Sequence, residues 1–249
     1  MSRVEVCAKL IEDAKNIVVL SGAGMSTESG IPDFRSSNGL YSKTFRGLEP
    51  ESILSLSFFK NNPELFWEFV KTSMDFTSIL PNVGHKILSK WESQGKYINI
   101  ITQNIDHLHT LSGSTRVIEI HGTMQTASCS NPTCKKHYKF NEIISNKNGH
   151  ICTCGCYIKP DVILYEEYVN ELSKVYPLMA ESDLLIILGT SLTVYPVAGI
   201  PDLFDIDKKH IIIINKTPTR YENCKNCIEI HDGIGKTLSE IDKIISKPH

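Results

Sequence analysis

Residues 17–35 read IVVLSGAGMSTESGIPDFR. Ile17–Leu20 is an apolar, β-branched run without period-two alternation, the pattern of a strand buried on both faces of a parallel sheet. A glycine-rich turn follows. Gly22 and Gly24 allow a tight turn and close backbone approach to a phosphate, and Ser26 or Thr27 can cap a helix or donate to a phosphate oxygen. The turn departs from the dinucleotide fingerprint: Thr27 stands in the third glycine's place, and no acidic residue follows a second strand about 20 positions on. Taken alone it is equally a tight strand-to-helix connection. Ile31-Pro32 then turns the chain out of helix, because the residue before proline favours extended geometry. Asp33 and Arg35 fall on the resulting loop, where they can face a polar ligand or form a solvated ion pair.

The pattern recurs along the chain. Ile98–Thr102, Val117–Ile120, Leu184–Leu188 and Ile211–Asn215 are short apolar runs, each followed by a loop rich in Gly, Asn, Thr or His. Helical patterns lie between them, over Val83–Ser93 and over Lys236–Ser246, where Leu238, Ile241 and Ile245 share one face. This alternation predicts an α/β fold, a Rossmann-like doubly wound parallel sheet, with ligands beyond the carboxyl ends of the strands. The strand-end loops should therefore converge on one cleft. Gln103, Asn104, Ile105 and Asp106 supply amides and a carboxylate suited to a carboxamide or a ribose; capping of a helix by Asn104 or Asp106 is the plainer use. His121 follows a strand and can act as a base near neutral pH. His107 and His109 compete on composition, but they fall in a predicted helix, where packing is the better reading. The loop from Gly189 through Thr190 and Ser191 to Pro196 can cup phosphates or ribose, and Asn215 can serve ribose hydroxyls.

Two stretches break the alternation. Residues 36–80 read as short helices carrying Leu, Phe and Trp, and residues 123–159 hold a cysteine cluster. Both are expected as insertions in one catalytic unit of 249 residues, whose sheet domain comprises about 1–35, 81–122 and 160–249. Of eight cysteines, five lie between Cys129 and Cys156, a crowding that in a reducing compartment favours a metal over disulfides. Two pairs on separate turns suit a structural zinc ribbon. Cys129, Cys134, Cys152 and Cys154 are the expected ligands and Cys156 the spare, though Cys156 can replace Cys152 or Cys154. Cys224-x2-Cys227 has no second pair and is read as two ordinary thiols.

The bulk figures narrow the class further. Net charge is −2 and 22% of residues are charged, so nothing calls for a polyanionic partner such as nucleic acid. The first ten residues lack an apolar core and no apolar run approaches the roughly 20 residues of a membrane span. A soluble, cytoplasmic monomer with no membrane attachment is expected.

Taken in order, GAGMSTESGIPDFR, TQNIDHLH, the strand-end His121-Gly122, the cysteine quartet, KPDV, GTSLTVYP and INKTPT resemble the motifs of the sirtuins, NAD-dependent protein lysine deacylases, in a short bacterial-type form. The resemblance covers nearly the whole chain. It implies that NAD and an acyl-lysine peptide enter the cleft between the sheet domain and the small module from opposite sides. It further implies that Ala23, Gly24, Asp33, Phe34 and Arg35 belong to a mobile NAD loop, and that Gln103, Asn104, Ile105 and Asp106 line the nicotinamide and ribose pocket. His121 would be the general base. Gly189, Ser191 and Asn215 would hold phosphate and adenosine ribose, with Asp232 near the adenine. In the implied reaction the acyl oxygen attacks the nicotinamide ribose, nicotinamide leaves, and the acyl group ends on ADP-ribose. The peptide would add as a strand between Ile163–Glu167, with Ile163, Tyr165 and Glu166, and the Thr193–Tyr195 segment, with Val194 and Tyr195. Glu166 stands where many members have glycine; its carboxylate either favours basic residues near the target lysine or faces water. Members preferring short acidic acyl chains carry Tyr-x-x-Arg where this chain has Val70 to Ser73, so deacetylation is expected over desuccinylation. Mono-ADP-ribosyl transfer, removal of long-chain or lipoyl groups, and non-catalytic binding of NAD or acetyl-lysine are the alternatives.

Overall fold

The computed structural model describes every residue except Arg35, Asn38, Pro248 and His249. The elements run α1 (Arg3–Asp13), β1 (Asn16–Ser21), α2 (Pro50–Ile53), α3 (Leu56–Asn61), α4 (Pro63–Ser73), α5 (Val83–Ser93), β2 (Tyr97–Thr102), α6 (Leu108–Leu111) and β3 (Val117–Glu119). They continue with β4 (Gly122–Cys129), β5 (His137–Lys139), α7 (Phe140–Ile144), β6 (Ile158–Val162), α8 (Leu172–Glu181), β7 (Leu184–Leu188), β8 (His210–Ile214), β9 (Cys227–Ile230) and α9 (Ile234–Ile245). No helix among the described residues is long and apolar enough to cross a membrane.

Six strands form one parallel sheet in the order β3-β2-β1-β7-β8-β9. The chain winds outward from β1 to β3 on one side and from β7 to β9 on the other, so the topological switch lies between β1 and β7. In such a sheet the ligand crevice opens beyond the carboxyl ends at that point. The absence of alternation in the strand sequences now has its cause. Val19, Ile100, Ile186 and Ile212 pack under α1, α5 and α9, whereas their neighbours Val18, Ile101, Leu185 and Ile211 pack under α8 and the 197–204 turn. Successive side chains point to opposite faces, and both faces are covered.

A second, three-stranded antiparallel sheet has the order β5-β4-β6. Its core is shared with the helical insertion: Phe66, Trp67 and Phe69 of α4 pack with Phe140, Ile143 and Ile158, and the Trp67 indole donates to the Ile158 carbonyl at 2.8 Å. After β1 the chain makes a 3₁₀ turn over Ala23–Ser29, ended by Gly30 at φ 95°, where the sequence suggested an α-helix.

His85 of α5 and His109 of α6 face each other in the interior, their ring centroids 4.7 Å apart. Asn82 N–H donates to His85 Nδ1 at 3.3 Å. Burial pushes His85 down to about 4, and burial with the neighbouring ring holds His109 well below the ordinary value of 6.5. Below pH 6.5 the unfolded chain takes up protons that the native interior refuses. Stability is therefore full above pH 6.5 and falls as the pH drops towards 4, by about 1.4 kcal/mol per pH unit for His85 alone. Urea denaturation at pH 7 and pH 5 checks this: the native protein should lose stability between the two, and His85→Phe should lose less. Equal losses in both proteins would remove the histidine explanation.

Candidate active site

The glycines of the opening stretch act first on the protein itself. Gly22 N–H donates to the Leu188 carbonyl and Gly24 N–H to the Gly189 carbonyl, each at 2.9 Å. A Cβ on Gly24 would stand 2.7 Å from the Gly189 Cα, so the β1 and β7 loops meet backbone to backbone across the switch point. Gln103 is tied to the same seam, its Nε2 donating to Thr190 Oγ1 at 3.0 Å.

Asn104 is fixed on three sides. Its Nδ2 donates to the Gly22 carbonyl and to Ser26 Oγ, both at 3.0 Å, and its backbone N–H donates to Thr102 Oγ1 at 3.1 Å. Both amide hydrogens are committed, so Oδ1 is what Asn104 offers to the cleft. Ser26 donates in turn to Asp106 Oδ2 at 2.6 Å, and Leu108 N–H donates to Asp106 Oδ1 at 2.9 Å. Asp106 is buried behind the wall and does not line the cleft. Burial raises its pKa against these hydrogen bonds. Ser26 is thus a linker between Asn104 and Asp106, and it caps no helix.

Of the three candidate histidines only His121 lines the cleft. His107 pairs with Glu119 at 2.9 Å and His109 is buried. His121 Nδ1 lies 3.1 Å from the Gln103 carbonyl. A carbonyl only accepts, so Nδ1 carries the hydrogen and Nε2 keeps a lone pair. Burial lowers the His121 pKa, with the Gln103 hydrogen bond opposing, which leaves the ring neutral and basic at neutral pH.

The cleft has a volume of about 570 Å³. Gly22, Ala23, Gly24, Asp33 and Phe34 form one wall, Gln103, Asn104 and Ile105 the floor, and Gly189, Thr190, Ser191, Asn215 and Asp232 the far end. Arg35 lies outside the described residues. Asp33 accepts from Ser36 N–H at 2.8 Å, and the Phe34 ring packs 5.2 Å from that of Tyr41, so this loop is braced by its own turn. Leu54, Met74 and Lys216 also line the cleft. The sequence did not single them out, because the first two cap the C-termini of α2 and α4, in a stretch whose apolar residues read as core.

Ile163, Tyr165, Glu166, Val194 and Tyr195 border the opposite side. Tyr165 pairs by its backbone with the helical insertion, donating to the Leu54 carbonyl at 3.0 Å and accepting from Leu56 N–H at 3.1 Å. Glu166 has φ 76°, a left-handed conformation that explains why glycine suits the position. Its carboxylate accepts from Ser57 N–H at 2.9 Å and from Ser57 Oγ at 2.8 Å. The residue is exposed, so its carboxylate faces water as well as bonding the first turn of α3. Glu166→Gln should therefore leave the preference among peptides with basic or neutral flanking residues unchanged. A peptide panel checks this, and a loss of selectivity for basic flanks would contradict the bond.

The Sγ atoms of Cys129, Cys134, Cys152 and Cys154 all lie within 4.8 Å of one another, and Cys156 is outside the group. Cys129 and Cys154 are 3.5 Å apart, and Cys134 and Cys152 3.6 Å. A tetrahedral zinc with Zn–S bonds of about 2.3 Å sets its sulfurs about 3.8 Å apart, so the quartet fits zinc with no position left open. Among the described residues no other such group occurs.

The model of the Sir2 family matches residues 22–196. The chain belongs to the Sir2 family. An NAD-dependent protein deacetylase of Clostridium acetobutylicum is 41% identical over 246 residues, covering 97% of this chain and 98% of that protein. One of Clostridium tetani is 44% identical over 238 residues, with 94% of each covered. A solved Sir2 variant with deacetylated p53 peptide and 3′-O-acetyl ADP-ribose superposes with a TM-score of 0.89 at 29% identity, covering 98% of both chains. A Sir2–p53 peptide–NAD+ structure gives 0.85 at 30% identity, again over 98% of both. For the metal, atomic absorption should find one equivalent of zinc in the native protein and in Cys156→Ser, and none in Cys129→Ser with Cys134→Ser. Zinc surviving in the double variant would refute the ligand set.

Proposed function

We propose that this Sir2-family chain is an NAD-dependent protein lysine deacetylase that passes the acetyl group to ADP-ribose and releases nicotinamide. The observation that carries the reading is the pairing, in one cleft at the switch point, of a neutral His121 with a bare Nε2 and an Asn104 whose only uncommitted group is Oδ1. The deacetylase names of the relatives and the NAD+ and peptide ligands of the neighbouring structures support it.

In this assignment the backbone seam of Gly22, Gly24 and Gly189 leaves room for pyrophosphate, and Ser191 and Asn215 hold the adenosine ribose. Asn104 Oδ1 faces the nicotinamide ribose, and Asp106 orients Asn104 through Ser26. His121 Nε2 accepts a proton from a ribose hydroxyl. Asp33 and Phe34 close over the reacting ribose and exclude water. The sheet domain of about 1–35, 81–122 and 160–249 carries the NAD half, and the insertions 36–80 and 123–159 carry the other wall. Zinc, held by the four thiolates, is structural.

The peptide extends along Ile163–Glu167 and Thr193–Tyr195 by strand addition. Acetyl is the favoured acyl group. Leu54, Met74, Ile105 and Val162 are apolar lining residues, and Lys216 is the one lysine or arginine among the described lining residues. Val70 is buried in the small core, and Lys71 of the same turn donates to the Asn146 and Lys147 carbonyls, so no cation there meets an acidic acyl chain. The net charge of −2 fits a cytoplasmic monomer acting on proteins, without nucleic acid or membrane.

An acetylated peptide with NAD should yield nicotinamide and free lysine. His121→Ala and Asn104→Ala should each slow turnover by at least about 100-fold, the order expected for a general base. Because burial lowers the His121 pKa, the acid limb of the pH–rate profile should fall below the ordinary histidine value of about 6.5. Wild-type rates in either variant would overturn the assignment.

A further inference from the structure

Asn104 is held from behind by a chain of buried hydrogen bonds. Its N–H donates to Thr102 Oγ1, Ser21 Oγ donates to the same oxygen at 2.9 Å, and His109 Nε2 lies 2.9 Å from Ser21 Oγ. Ser21, Thr102 and His109 are at most 3% exposed, and none of them lines the cleft. Counting hydrogens fixes the direction of the chain. Ser21 has one hydroxyl hydrogen and gives it to Thr102, so its lone pair accepts from His109 Nε2–H. That tautomer leaves Nδ1 of His109 as a bare acceptor. On the neighbouring ring, Nδ1 of His85 takes the Asn82 N–H, which makes Nε2 of His85 a donor. Both of these nitrogens are buried without a partner among the described residues. A buried polar atom in that state costs free energy, so both nitrogens weigh against stability.

Ser21 and Thr102 are register partners at the carboxyl ends of β1 and β2. The loops bearing Gly22 and Asn104 begin immediately beyond them, and Gln103 N–H also returns to the Ser21 carbonyl at 2.9 Å. The hydroxyl pair thus pins two strand ends together at the point where the floor of the cleft starts, and His109 is the donor that orients the pair.

We propose that His109, acting through Ser21 and Thr102, is a positioning residue that sets the placement of Asn104 for nicotinamide release. The inference rests on the assignment of Asn104 to the reacting ribose. Without the histidine donor the Ser21 hydroxyl can turn, Thr102 loses its fixed partner, and the Asn104 backbone is released. Its Oδ1 then meets the ribose off target, and a misplacement of about 1 Å is enough to cost on the order of 100-fold.

The test measures kcat, peptide KM and melting temperature with NAD and acetylated peptide. His109→Leu should lower kcat by about 10- to 100-fold with peptide KM unchanged. His109→Gln, whose amide N–H reaches where Nε2 stood, should recover most of the loss. Ser21→Ala should match His109→Leu, and the double variant should be no slower than either. A wild-type kcat in His109→Leu, or no recovery in His109→Gln, overturns the proposal. Should His109→Leu fail to fold, Ser21→Ala decides: a reduced kcat supports the proposal and a wild-type kcat overturns it. Asn104→Ala separates the two levels. If it is slow while His109→Leu is normal, only the positioning role fails; if it turns over normally, the assignment of Asn104 fails.

Discussion

The parallel register of the large sheet is the constraint on which the rest depends. Ser21 pairs with Thr102 on one side and Leu188 on the other; Thr102 continues to Glu119, and Leu188 to Ile214 and then Ile230. These residues form one row across six strands. The loops of this sheet that reach the cleft leave it at that row, so side chains from positions as far apart as 22 and 232 arrive at a common depth. A slip of one residue in any strand would turn its side chains to the other face and shift its loop. Complete burial of both faces makes such a slip costly.

Much of this was legible because burial on two faces imposes a visible composition. The strands β1, β7 and β8 announce themselves as unbroken Ile, Val and Leu runs, and β2 as such a run interrupted only by Asn99. β9 does not, because its CIEI carries Glu229, buried yet satisfied by the Thr219 N–H and hydroxyl. The polar strand β4, GTMQTASC, was equally hidden, since only Met124 and Ala127 are buried, three positions apart across an irregularity in its pairing with β6. α8 contains Pro177, which argues against helix when the chain is read alone.

The site followed the same division. Residues on strand-end loops were recoverable as ordered motifs, and all the described candidate site residues among them except Asp106 line the cleft. Contacts between distant segments were not recoverable. Glu166 meets Ser57 across 109 positions, and no local pattern marks either residue for the other. His109 looked like a packing residue because helical spacing reports which face is buried, not which polar atom is waiting there.

The small core has a further consequence, for assembly. It joins α4 to β4–β6, but α5, β2 and β3 intervene between them in the chain. Closing that long loop costs entropy unless the intervening segment has already folded. The four cysteines, by contrast, all lie within residues 129–154 and meet without that closure. The metal cluster is thus a short-range closure of the chain, and the aromatic core beside it a long-range one.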